Sequence, residues 1–356
     1  MRLVAFLLFV ISLFLSFVTV AQQDSIDVFI AKQMKQQGIV GLSIGLVKNG
    51  KVVKAKGYGL ANIELNVFAS EQTVYKIGSI SKQFVAVGIM KLVQDARLKV
   101  SDPVTKFIKD APAKWNPITI RHLLNHTSGL PVEPIGYEGM KEQADSVYIK
   151  NAFKADLTFP PGSKFEYSNF GYFILAEIIR LTSHLSFPEY MKKNVFDKCD
   201  LSSIEVTSPE AIIPNRSDGY IRSADNSILN APNYIALRPS GAFLSDINDL
   251  LKWEVAMQSS KLLTRENWDQ MWGDVTKTPL TMDSEVMYYG YGWLTNSVNG
   301  KRVVHHGGSM PGFKSVYFRY PQDKTAIIVL TNSDHADAYG IAFGVSELLQ
   351  AEMAER

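Results

Sequence analysis

The sequence predicts an α+β fold of the α/β sandwich type. A largely antiparallel sheet of about five strands is flanked by N- and C-terminal helices, and an all-helical domain is inserted in it. Three observations predict this. β-Rich runs joined by tight turns occur near both chain ends. Helix-period segments precede the first run and follow the last. The middle of the chain reads as helices separated by Pro-containing loops.

Residues 1–21 stand apart from the fold. Arg2 precedes an apolar run from Leu3 to Val18, and Thr19-Val20-Ala21 forms a small-residue exit. This is a secretory signal pattern with cleavage after Ala21, which implies a periplasmic or secreted protein. A retained N-terminal membrane anchor is the alternative, because the run nearly reaches spanning length. The small-residue exit favours cleavage, and no cysteine near the cut suggests a lipid anchor.

Asp24 to Gln37 carries Ile26, Phe29, Ile30 and Met34 at helical spacing, with Gly38 as the stop. Val40 to Lys48 and Lys51 to Gly59 flank Asn49-Gly50, the signature of a hairpin with a type I′ turn. Ile80 to Ala96 is a strongly apolar helix. Ile118–Asn125, Phe170–Thr182, Phe187–Asp197 and Asp246–Met257 also read as helices, the last with Ser245 as N-cap. Strands follow over Tyr291–Val298 and Lys301–His306 around Asn299-Gly300, then Phe313–Tyr320 and Thr325–Thr331. Ala338 to Met353 closes the chain as a helix. The expected domains are therefore 22–78 with 215–356 for the sheet and 79–214 for the helical insertion. The junction between them is the default place for a site.

Composition narrows the function. Thirty-seven Lys and Arg face 35 Asp and Glu, so no strong field exists to hold nucleic acid. The partner is expected to be a small molecule or a peptide substrate, with the membrane relevant only for export. Oligomeric state is not readable. The lone Cys199 excludes an internal disulfide and sits where an inert thiol is expected.

Three motifs carry the chemistry. In Gly78-Ser79-Ile80-Ser81-Lys82, the serine meets the start of the apolar helix and the lysine lies three residues on, on the same face. A serine hydroxyl needs a neighbour to take its proton, and a buried lysine with a lowered pKa can do so. Taken alone, Ser-x-x-Lys fits a capping serine and a surface lysine equally well. Tyr167-Ser168-Asn169 is the only Tyr-x-Asn of the chain; a tyrosine there can relay a proton and an asparagine can bond a substrate amide. Read alone, it fits a packed tyrosine beside a turn. Val303 to Gly308 ends a strand in His305-His306-Gly307-Gly308, where glycines let a ligand approach the backbone.

Together these motifs resemble the serine β-lactamase and penicillin-recognising enzyme superfamily, and within it the class C-like branch with DD-peptidases, D-aminopeptidases and esterases. The motifs start at 79, 167 and 306, in the order that branch uses. Thr119 to Leu130, Pro239-Ser240-Gly241 and Pro311-Gly312-Phe313 are similar to further family blocks. The likeness spans residues 25–350. It implies an exported serine hydrolase that passes through an acyl-enzyme, acting on peptide or amide bonds such as those of D-amino-acid peptides. An esterase, a weak β-lactamase, or a penicillin-binding sensor with little turnover are the alternatives.

The resemblance also implies roles. Ser79 is the nucleophile, and Lys82 and Tyr167 share the parts of base and proton shuttle, in an order left open. Asn169, His306 and Gly308 contact substrate. The backbone N–H groups of Ser79 and Ser309 form the oxyanion hole. No cofactor or metal is implied. The third motif departs from the Lys-Thr-Gly of β-lactamases; a histidine is mostly neutral at pH 7 and a weaker receptor for a carboxylate.

Other readings rank lower. His122 and His126 are four apart but lack a His-Glu-x-x-His pattern, so a structural role is preferred over zinc. No phosphate-binding glycine loop is present. The aromatic run Tyr288 to Trp293 reads as strand and turn packing before substrate contact, and the polar loop Pro131 to Ser146 as a stretch that borders the cleft or simply lies on the surface.

Overall fold

A computed structural model describes residues 24–138, 144–206, 211–233, 238–241, 243–273, 275–282 and 284–354. The expected signal segment lies outside the described residues. The chain runs through α1 (Ser25–Gln37), β1 (Gly41–Lys48), β2 (Lys51–Asn62), β3 (Val67–Phe68), β4 (Tyr75–Lys76) and α2 (Ser81–Gln94). It continues through α3 (Ile120–Leu124), α4 (Asp145–Ala152), α5 (Asn169–Ser183), α6 (Phe187–Met191), β5 (Glu205–Val206), β6 (Tyr220–Arg222) and β7 (Ile228–Asn230). Then come α7 (Arg238–Gly241), β8 (Phe243–Ser245), α8 (Ile247–Met257), α9 (Arg265–Gly273), β9 (Thr276–Met282) and β10 (Glu285–Tyr289). The last elements are β11 (Leu294–Val298), β12 (Lys301–Met310), β13 (Phe313–Tyr320), β14 (Thr325–Thr331) and α10 (Ala338–Ala354).

Among the described residues the large sheet has nine strands, not about five, in the order β3-β2-β1-β14-β13-β12-β11-β10-β9. Every pairing is antiparallel. The strands missed from sequence are β3 at one edge, and β9 with its neighbour β10 at the other. β9 carries Pro279, which is tolerated on an edge and hides the strand pattern, and β3 has only two residues. At the centre, β1 pairs with β14 from Leu42↔Thr331 to Val47↔Ala326, so the two chain ends meet there. Both Asn-Gly turns are type I′ in kind: Asn49 and Gly50 have φ of 53° and 76°, Asn299 and Gly300 of 50° and 75°.

β1 is buried on both faces. Leu42, Ile44 and Leu46 join Ile26 and Ile30 of α1 and Ile341, Ala342 and Val345 of α10 in one core. Thus both terminal helices cover one face of the sheet. On the other face a Cβ at Gly45 would lie 2.9 Å from Ile247, so α8 packs tightly there. Its N-cap is Asp246, whose side chain accepts the Asp249 N–H at 2.8 Å; Ser245 instead pairs with Tyr75 in a small sheet. The stretch 187–197 is not one helix: an α turn ends at Met191, a π turn runs Lys192–Phe196, and a 3₁₀ turn ends at Cys199. β11 starts at Leu294, three residues later than the alternation suggested, because Gly290 N–H closes a turn onto the Trp293 carbonyl at 2.7 Å. No helix among the described residues is long and apolar enough to cross a membrane.

Candidate active site

α2 has no polar face. Lys82, Gln83, Phe84, Val85, Ala86 and Val87 are all buried, with Phe84, Val85 and Val87 each worth about 1.5–3 kcal/mol of burial. That packing drags Lys82 inside at 0% exposure. Ser79 precedes it in a single 3₁₀ turn, Gly78–Ile80.

The Lys82 Nζ lies 3.0 Å from Ser79 Oγ, 2.8 Å from Asn169 Oδ1 and 2.6 Å from the Ser240 carbonyl. The two carbonyl oxygens can only accept. They therefore take two of the amine hydrogens. The third tetrahedral position, toward Ser79, is an N–H in the ammonium and a lone pair in the free amine. Burial lowers the Lys82 pKa to about 7, opposed by the Glu133 carboxylate. The amine is thus available as a base near neutral pH.

Tyr167 sits just before α5, held by its neighbour. Ser168 caps α5 by accepting the Gly171 N–H at 3.1 Å, and gives its hydroxyl to the Pro131 carbonyl at 2.7 Å. The Tyr167 ring lies 4.8 Å under the Lys82 ammonium. Burial raises its pKa, partly offset by the Ser79 and Tyr289 hydroxyls. The phenol therefore stays protonated at neutral pH, and serves better as a proton carrier than as a phenolate base. Asn169 opens α5 and gives its Nδ2 to Glu133. That bond fixes the amide so that Oδ1 faces Lys82.

Several residues here escaped the sequence reading. His126 follows α3 at φ 60°, and its ring lies 4.2 Å from Tyr167 and 4.5 Å from Tyr289. Its Nδ1 accepts the Ser168 N–H at 3.1 Å, and burial holds it neutral. His122 instead closes a capping box with Thr119, so the two histidines do not share a task. Tyr289, from the aromatic run, hydrogen bonds His306 Nε2 at 2.9 Å. Glu133 comes from the polar loop Pro131 to Ser146, for which the sequence left a cleft-bordering and a plain surface reading open. The motif-like block Pro239-Ser240-Gly241 supplies the Ser240 carbonyl. Cys199 is buried away from this cluster, and burial pushes its pKa up to about 11.

The third motif lies on β12. β11 pairs with it only as far as Leu294↔His305, leaving the rest of that edge open. Pro311-Gly312 makes a two-residue turn between Met310 and Phe313. Hydrogen-bonded pairs alternate from there, so Ser309 and Gly307 direct their backbone groups to the open edge. A Cβ at Gly78 (φ 55°) would fall 2.6 Å from the Ser309 nitrogen, and one at Gly308 2.1 Å from the Ile77 carbonyl. The missing Cβ atoms let the Ser309 N–H approach the turn that carries Ser79. His306 does not reach out as a cation: burial, then Lys82, lower its pKa to about 3. Ser79, Tyr167, His306, Gly307, Gly308 and Ser309 all border one cleft of about 460 Å³.

A serine touching a buried, near-neutral lysine, beside converging backbone N–H groups, defines an acyl-enzyme serine hydrolase. A family model described as Beta-lactamase matches residues 26–348, and the chain belongs to that family. Protein flp of Staphylococcus aureus (strain NCTC 8325 / PS 47) is 28% identical over 317 residues, covering 87% of this chain. The chain spans 63% of the length of that relative. Penicillin-binding protein 4* of Bacillus subtilis (strain 168) is 26% identical, with 82% of this chain and 69% of that protein covered. The octameric penicillin-binding protein homologue from Pyrococcus abyssi superimposes with a TM-score of 0.81 at 28% identity, over 92% of this chain and 77% of that one.

Proposed function

We propose that the protein is an exported serine hydrolase that cleaves peptide or amide bonds, with D-amino-acid peptides as the preferred class. The carrying observation is the 3.0 Å approach of the Lys82 amine, at a pKa of about 7, to Ser79 Oγ. Relatives named as penicillin-binding proteins support the D-peptide class. The apolar run ending in Thr19-Val20-Ala21 supports export. A site at the junction of the expected sheet segments (22–78 and 215–356) with the expected helical segment (79–214) is supported by a cleft that Ser79 and Tyr167 border together with His306 and Ser309.

Ser79 Oγ attacks the carbonyl carbon while its proton passes to Lys82 Nζ. The oxyanion is met by the N–H groups of Ser79 and Ser309. Collapse breaks the C–N bond, and the departing amine takes a proton relayed from Lys82 through Tyr167. Water then attacks the ester, gives its proton to the same amine, and releases the acid and the free serine. Asn169 orients the acyl group, and the open edge of β12 takes an extended peptide as an added strand.

Intact-mass detection of acyl-Ser79 tests this, with a D-alanyl-D-alanine peptide, a D-aminoacyl anilide, a p-nitrophenyl ester and nitrocefin as substrates. Turnover of the peptide or anilide, abolished by Ser79→Ala, is the expected result. Turnover of the ester alone would make the protein an esterase. Stable labelling by a penicillin without release would make it a penicillin-binding sensor.

A further inference from the structure

The aromatic cluster behind Tyr167 holds one hydroxyl hydrogen that can change partner. Neutral His306 gives its Nδ1–H to the Gly307 carbonyl at 2.6 Å, so its Nε2 accepts the Tyr289 O–H at 2.9 Å. The Tyr172 hydroxyl donates to the Leu124 carbonyl at 2.9 Å, and a carbonyl can only accept. His126 packs its ring against both remaining phenols, 4.2 Å from Tyr167 and 4.5 Å from Tyr289. The Tyr167 and Tyr289 rings themselves meet edge to face, 5.9 Å apart at 84°.

The Tyr167 oxygen is buried and has no hydrogen-bond partner among the described residues. Lys82 lies over its ring, 4.8 Å from the centroid, with the amine turned to Ser79, Asn169 and Ser240. In the proposed acyl transfer, Tyr167 hands its proton to the departing nitrogen and is refilled from the Lys82 ammonium. Between those events negative charge collects on the Tyr167 oxygen. Burial opposes that charge, and the hydroxyls of Ser79 and Tyr289 counter the burial. At that moment Ser79 Oγ is bonded to the acyl carbon and has no hydrogen to give. Of the two, Tyr289 alone remains a donor.

We infer that Tyr289 is a positioning residue for the proton relay. Its O–H turns from His306 Nε2 to the Tyr167 oxygen while that oxygen carries charge, and turns back when Lys82 refills it. The exchange trades a neutral O–H···N bond for a charge-assisted O–H···O⁻ bond, about twice as strong. One proton leaves Tyr167 for the nitrogen of the breaking C–N bond, one leaves Lys82 for Tyr167, and Tyr289 keeps its own. The inference rests on the acyl-enzyme reading and adds a dependence to it. Leaving groups that must be protonated need Tyr289, and those that depart as stable anions do not.

The test is a ratio of kcat/KM values for two substrates that share one D-aminoacyl group. One is the anilide, whose amine must be protonated; the other is the p-nitrophenyl ester, whose phenolate needs no proton. An ethyl ester replaces the anilide if the wild type cleaves esters alone, because an alkoxide also needs a proton. Tyr289→Phe should lower the anilide-to-ester ratio by about 10- to 100-fold, the worth of a hydrogen bond to a charged group. 3-Fluorotyrosine at position 289 keeps the ring's shape, donates more strongly, and should raise the ratio. A merely structural role would lower both values alike, so an unchanged ratio in Tyr289→Phe overturns the proposal. If Tyr289→Phe does not fold, a fluorotyrosine ratio at or below that of the wild type overturns it. Both results leave the hydrolase reading intact; that reading fails only if Ser79 is never acylated.

Discussion

The Tyr289 hydroxyl donates its hydrogen to Nε2 of His306, and the direction of that bond is fixed. His306 is neutral, and its Nδ1 faces the Gly307 carbonyl, which can only accept. The ring proton therefore sits on Nδ1, and Nε2 must accept. Nitrogen NMR of the imidazole should show the Nδ1–H tautomer from pH 5 upward. Tyr289→Phe should leave a buried acceptor unmet and lower stability by about 1–3 kcal/mol, read from the urea midpoint.

The acid limb of activity should report Lys82. In the proposed mechanism its free amine is the base, so kcat/KM should rise tenfold per pH unit below about 7 and level off above. The Glu133 carboxylate raises that pKa, so Glu133→Gln should move the limb to lower pH. A limb that stays in place would remove Lys82 as its source.

Side-chain deletions should rank by role. Ser79→Ala should abolish acylation. Lys82→Met should slow acylation by about 10²- to 10⁴-fold, the usual loss for a positioned base. Tyr167→Phe should fall within the same range if the phenol carries the proton to the leaving group. Pre-steady-state acylation rates separate the three.

Gly78→Ala should damage catalysis more than stability. The new Cβ would press on the Ser309 nitrogen at 2.6 Å in a left-handed turn. Losing one oxyanion donor costs about 10²- to 10³-fold in kcat. Gly308→Ala faces a backbone carbonyl at 2.1 Å and should also lower the melting temperature. Parallel kcat and melting measurements on both variants check this.

Acid should unfold the protein through buried histidines. His305 and His306 are each held to about 3 by burial, against an ordinary value near 6.5. Between those values the unfolded chain binds more protons than the folded one. Stability should therefore be full above about pH 6.5 and fall as the pH drops toward 3. His306→Gln should flatten that fall, as seen in urea midpoints at pH 7, 5 and 4.

Much of this was legible in the sequence because local chemistry decides it. The Asn-Gly turns, the apolar α2 and the chain order of the three motifs are short-range signals. Asp24 and Gly38 bound α1 where expected, the first accepting the Ile26 N–H at 2.9 Å and the second at φ 65°. What escaped depends on contacts made across the fold. Glu133 and His126 matter only because α5 brings Asn169 and Tyr167 against them. Tyr289 reads as packing until β10 and β12 are placed in one sheet. Edge strands such as β9 escaped because pairing with β10, not an apolar alternation, makes them strands.

The meeting of β1 with β14 has a kinetic consequence. Leu42 finds Thr331 only after almost the whole chain is available, and closing so long a loop is slow. The centre of the sheet is therefore the last part to be completed during synthesis, and a chain cut before Thr325 lacks the strand that bridges β1 and β13. Until then the apolar faces of β1 stay open to water and to other chains, which makes the emerging polypeptide a natural client for holding chaperones.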